Sequence, residues 1–197
     1  MRSGSSPALW MGSAFFAKLT LAAVVLGSRG ADESGTLAAL FMTARLSFLL
    51  FWLAYTGSAL TAIFGQVFLP LKKRAREFGL AFASAHLVHL GLVGWLCIIG
   101  APPAVSVFVV FGIAAIWIYL LALFSIGSLR LTLSPTGWWV LQVVGMNYIL
   151  YAFGVDFFKS PLNGSLRHTI EYFPFVILTI AAPTLRLVAM ALRKPQS

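Results

Sequence analysis

The sequence predicts an all-α, polytopic membrane helical bundle of about six transmembrane helices, and three observations carry that expectation. The chain has 197 residues, of which 60% are hydrophobic and only 10% charged. A soluble domain is nearer half apolar and a quarter charged. Apolar runs recur from one end to the other, each near the ~20 residues that a helix needs to cross a hydrocarbon core of ~30 Å. The cations, which give a net charge of +9, cluster between those runs. That placement points to membrane orientation and contact with anionic lipid, and against a nucleic-acid partner. The one cysteine, Cys97, lies in an apolar run, so neither a disulfide framework nor a cysteine-ligated metal site can form within the chain. Residues 1–197 read as a single integral membrane domain, because no polar segment is long enough to build another.

Residues 11–28 (MGSAFFAKLTLAAVVLGS) form the first span, interrupted by Lys18. Leu19–Leu26 also suits the short apolar region of a signal peptide, and both readings stand. The polar loop 29–36 holds two of the five acids. A second apolar stretch runs from about 38 to 68. It is long for the bilayer, so the spanning part is placed at 45–68 with the preceding turns at the interface. A basic loop, 69–77, carries Lys72, Lys73, Arg74 and Arg76. The third span, 78–99, is closed by Gly100 and the Pro102–Pro103 pair, which cannot continue a helix. The fourth is 104–126 and ends at Gly127. Pro135 suits a helix start, and the fifth span, 137–157, opens on Trp138 and Trp139, a fitting interfacial anchor. The loop 158–169 contains His168, and the sixth span, 170–190, contains Pro174 and Pro183.

Orientation follows from the Lys and Arg residues in the connecting segments. With six spans, nine of them fall on one side (Arg2, the basic loop, Arg130, Arg186, Arg193, Lys194) and three on the other (Arg29, Lys159, Arg167). The positive-inside rule then places both termini in the cytoplasm.

Chemistry-bearing residues are few. His86 and His89 are three apart on the third span and so share a helix face. Ionisable groups at membrane depth are costly and usually face the protein interior. Neutral imidazole is a good haem or metal ligand, and a b-type haem between helices takes one ligand from each facing helix. A histidine hydrogen-bonded to a neighbouring carbonyl, Ser or Thr is the plainer use of the same residue. Gly79, Ala81, Ala83, Ser84, Ala85 and Gly91 permit close approach by a flat macrocycle or simply by another helix.

The run from Arg76 to His89 (REFGLAFASAHLVH) resembles the ferric reductase-like transmembrane domains, a family that includes the haem-bearing membrane subunit of the bacterial methionine sulfoxide reductase system. The shared pattern is a basic loop, Gly-Leu, an Ala-Phe-rich turn and a histidine ten residues after the glycine, which Gly79 and His89 meet. Thr43-Ala44-Arg45-Leu46 and the long span after it also resemble the family, and the order of spans matches over roughly residues 43–157. The resemblance implies six helices, b-type haem and transmembrane electron transfer, with His89 as the third-helix ligand. His86 sits where the family usually has a small residue. The fifth span departs from the pattern: Trp138-Trp139-Val140-Leu141 is followed by Gln142, and no histidine lies between Val105 and Arg167. The usual pairing of histidines on the third and fifth spans therefore cannot form. Three readings follow: Met146 as the opposite ligand, a haem served by His168 near the outer face, or a fold that has reduced or lost its haem.

Arg45 suits either a haem propionate or a snorkelling contact with headgroups. Gln142 and Asn147 suit hydrogen bonds between helices, and Asp156 suits pairing with Lys159. No phosphate-binding glycine loop, nucleophile–base constellation, flavin domain or nicotinamide domain is present in the sequence. The functions implied are a haem-bearing electron-transfer (oxidoreductase) subunit of the bacterial inner membrane, fed by a protein partner or quinol, or a haem-free accessory subunit of a larger membrane complex. A small transporter is less supported, since no span holds an acid near its centre.

Overall fold

The computed structural model describes residues 6–126, 129, 132–159 and 170–192, and the backbone of helical residues 160–163 and 166–169. The described residues are helical, with no strands among them. Six helices are long and apolar enough to cross a membrane, as expected for a multi-pass membrane protein. Large apolar side chains such as Phe16, Val24, Ile116 and Leu187 are exposed. In water such a surface would be an aggregation liability; in a bilayer it is the face that meets lipid.

Local chemistry starts and stops each helix. In α1 (Pro7–Arg29), Pro7 sits at the first position and the Ser6 Oγ accepts from the Leu9 N–H. Gly30, at φ 91°, ends it. The Asp32 carboxylate then accepts from the Gly35 N–H at 2.9 Å and caps α2 (Glu33–Phe64). A 3₁₀ turn, Gly65–Phe68, leads into the short helix α3 (Leu69–Lys73). α4 (Ala75–Ile98) closes with Gly100 at φ 80°. There the Ala101 N–H reaches the Leu96 carbonyl and the Gly100 N–H reaches that of Cys97, a Schellman ending. α5 covers Val105–Ser125. The Ser134 Oγ and Pro135 start α6 (Pro135–Asn163), and α7 (Leu166–Ala191) continues through Pro174 and Pro183.

Several boundaries differ from expectation: α1 begins at Pro7, α2 at Glu33 inside the expected loop 29–36, and α7 at Leu166 inside the expected loop 158–169. The basic segment is not a loop: Pro70 sits in the first turn of α3, where its missing N–H costs nothing, and only Arg74 separates α3 from α4. The fifth helix runs on past 157 to Asn163. At 29 residues it is about 43 Å long, so its last turns extend beyond the hydrocarbon. Hydropathy locates the slab and not the end of the helix.

The helices form two compact units, Met1–Phe51 with Arg76–Ala115, and Trp52–Ala75 with Ile116–Ser197. In the first, Ala22, Ala39, Val88 and Leu92 make a core flanked by Phe15, Val25, Leu26 and Leu40. The Ser84 Oγ donates to the Met11 carbonyl at 2.9 Å, and the Trp95 indole N–H donates to the Ala31 carbonyl at 2.8 Å. These two bonds tie α4 to α1 and to the turn after it. Gly35 lies hard against that turn: a Cβ there would collide with the Gly30 carbonyl oxygen. Gly35→Ala is expected to lower stability by about 2 kcal/mol through overpacking, read as a lower unfolding midpoint in detergent. An unchanged midpoint would contradict this packing.

In the second unit the Trp52 indole N–H donates to the Leu178 carbonyl at 2.9 Å. That carbonyl is next to Thr179, whose own carbonyl Pro183 leaves without a helical donor. The Tyr55 hydroxyl donates to the Asn147 Oδ1 at 2.8 Å, joining α2 to α6. Gly145 packs on Trp117 and Leu121 of α5, and Phe157 packs on Tyr172 and Phe175 of α7.

Candidate functional site

The first unit holds a buried polar cluster built by three helices. α2 supplies Thr43 and Ser47, four residues apart and so on one face. α4 supplies His86 and His89, and α1 supplies Lys18. Lys18 and Thr43 are 0% exposed and Ser47 is 2% exposed, whereas both histidines are half-buried. The Lys18 Nζ donates to the Ser47 Oγ, the one acceptor found for it among the described residues. Lys18 is also an electrostatic neighbour of both imidazoles.

The hydrogen bonds around Thr43 determine how His89 is presented. The Thr43 hydroxyl donates to the Leu40 carbonyl at 3.1 Å, one turn back on its own helix. The same oxygen lies 3.4 Å from the His89 Nδ1. A hydroxyl has one hydrogen. In the tautomer with the hydrogen on Nδ1, the Thr43 oxygen accepts from the His89 ring while its own hydrogen goes to Leu40. In the neutral ring Nε2 then holds the lone pair. A hydrogen bond to the other ring nitrogen orients and polarises a metal-ligating histidine. The His86 ring stacks on that of His89, with centroids 5.7 Å apart and planes 23° apart, and contacts Phe82 on its other side at 6.1 Å.

Of the other residues singled out from sequence, Arg45 turns back along its own helix. Its Nη1 donates to the Phe41 carbonyl at 2.9 Å and its guanidinium lies 3.0 Å from the Phe41 ring centroid. Met146 is half-buried on α6 in the second unit, next to the tightly packed Gly145. The His168 side chain lies outside the described residues. Among the described residues, no three His, Cys, Asp or Glu side chains gather as a metal site.

Sequence reading treated Lys18 only as an interruption of the first span and gave Ser47 no role. A lysine midway along an apolar helix, with Thr and Ser four apart on the next, was the available signal. Ala81 and Ala85 are 1% and 0% exposed, so this part of the small-residue run packs against protein. No protein-family model, curated protein or solved structure matches the chain.

Proposed function

We propose that this chain is a b-type haem electron-transfer subunit of a bacterial cytoplasmic membrane, with the His89 Nε2 as an iron ligand. One observation carries the reading: the contact between Thr43 and His89, which in the tautomer with the hydrogen on Nδ1 leaves the lone pair on Nε2 of a half-buried ring. The resemblance of residues 76–89 to the ferric reductase-like family supports the same residue. A bound haem would supply a one-electron carrier within the bilayer. Thr43 holds the His89 ring and its tautomer, and His86 stacks on the ring and restricts its rotation. The posture of Arg45 supports the snorkelling reading over a propionate contact. Two further proposals come from the sequence alone: Met146 as a second ligand, or His168 serving a haem near the outer face. Electrons would enter and leave through a protein partner or a quinol.

A specific observation favours the haem-free accessory reading: Ala81, Ala83, Ser84 and Ala85 of α4 are filled by packing, and only Gly79 and Gly91 of the run face open space. Haem content of the purified full chain separates the two. The haem reading expects about one haem per chain; none would favour the accessory role.

We also propose that both termini face the cytoplasm. Six crossings return the chain to its starting side, and Lys72, Lys73, Arg74 and Arg76 are all exposed, as residues held at an anionic inner surface would be. A reporter fused after Arg76 is expected to be active in the form that works inside the cell. Activity only in the external form would reverse the topology.

A further inference from the structure

We propose that the second unit carries an anionic-phospholipid site, in which the Arg186 guanidinium holds a headgroup phosphate. Arg186 is half-buried in α7, a membrane-crossing helix. Its guanidinium lies over the Tyr55 ring, 4.5 Å from the centroid. Tyr55 is 3% exposed, and its hydroxyl donates to the Asn147 Oδ1. The Asn147 amide in turn donates to the Val143 carbonyl at 2.7 Å. The ring is thus a fixed platform, and the guanidinium resting on it is preorganised. Stacking uses only the face of a guanidinium. Its N–H donors point outward in the plane, as the planar fork that matches two phosphate oxygens.

No acid of the second unit is placed to take those donors. Asp156 lies nine residues beyond Asn147 on α6, and Glu171 fifteen residues before Arg186 on α7. At 1.5 Å per residue these separations are about 13 and 22 Å along the helix axes. Among the described residues, the Tyr55 ring is the one polar or aromatic interaction found for Arg186.

The same end of the unit is otherwise basic. After the turn at Gly65, α3 comes back beside α2. A Cβ on Gly57 would lie 3.1 Å from the Leu71 carbonyl and 3.3 Å from the Lys72 nitrogen. Gly57 and Tyr55 are two residues apart, about 3 Å along the axis. Lys72, Lys73 and Arg74, all exposed, therefore sit near the level of Arg186. One preorganised arginine near the level of three exposed cations fits a lipid phosphate in the surrounding leaflet. The lysines and Arg74 draw anionic lipid to this level, and Arg186 grips the phosphate.

The test uses the full chain purified in neutral detergent and offered mixed vesicles of phosphatidylcholine and phosphatidylglycerol, with retained lipid counted by mass spectrometry. The unmodified protein is expected to retain phosphatidylglycerol preferentially. Arg186→Gln is expected to weaken that preference roughly tenfold, the worth of a charge-assisted pair of hydrogen bonds. Arg186→Lys, which keeps the charge and loses the fork, should fall between, and it serves if the glutamine variant does not fold. Paired Lys72→Gln and Lys73→Gln should lower retention of phosphatidylglycerol only at low salt. Equal retention of the two lipids, or an unchanged preference in both Arg186 variants, would overturn the proposal. So would full displacement of the lipid by inorganic phosphate, which would show that the site reads phosphate and not lipid.

Discussion

His89→Ala is expected to remove most bound haem, and His86→Ala to weaken binding by roughly 10–100-fold without abolishing it. The difference follows from how the two rings are held. The His89 Nδ1 lies 3.4 Å from the Thr43 oxygen, and in the tautomer with the hydrogen on Nδ1 it is Nε2 that is left to act as the proposed ligand. His86 supports that ring by stacking at 5.7 Å. Thr43→Val keeps the shape of Thr43 and deletes the acceptor, and should act as a positioning change: weaker haem retention and an altered reduction potential, with Thr43→Ser restoring both. Haem per protein, measured for each variant, checks the set. Full haem in His89→Ala with none in His86→Ala would exchange the two roles.

The largest effect on stability is expected at Ser47. Lys18 is fully buried, and the Ser47 hydroxyl is the acceptor found for it. Ser47→Ala leaves a buried amine without that partner, at a cost of about 2–3 kcal/mol. Lys18→Met replaces the amine with a side chain of similar length and no polar demand, and is expected to be neutral or stabilising. With Lys18→Met already present, adding Ser47→Ala should cost under about 1 kcal/mol. Denaturant or thermal unfolding of the four proteins in one detergent completes the cycle. Equal losses from Ser47→Ala in both backgrounds would show that the two side chains do not interact.

These two sites show what was legible in the chain. Spacing alone put His86 and His89 on one face, and the neighbouring cations and glycine placed them within a span. Hydropathy also found all six crossings, because the bilayer demands long apolar helices wherever the chain goes through. It could not find where helices end outside the slab, which is why α3 read as a loop and α6 as shorter than it is. Nor could it find Thr43 as the partner of His89, or Ser47 as that of Lys18. Those pairs are separated by 46 and 29 residues, and nothing local marks them. Thr and Ser within an apolar helix usually bond back to their own turn, as Thr56 and Thr61 do here. The pairing of Arg186 with Tyr55 is of the same kind, set by the packing of α7 on α2 and not by either helix's own pattern.

The central claim is that the cluster of Thr43, His89 and His86 serves a redox-active haem. The reduced-minus-oxidised visible spectrum of the purified full chain, recorded beside that of His89→Ala, tests it most directly. The account predicts a reversible b-type difference spectrum in the unmodified protein and its loss in the variant. A featureless spectrum from well-folded protein expressed with ample haem, or a band that His89→Ala leaves intact, would contradict it.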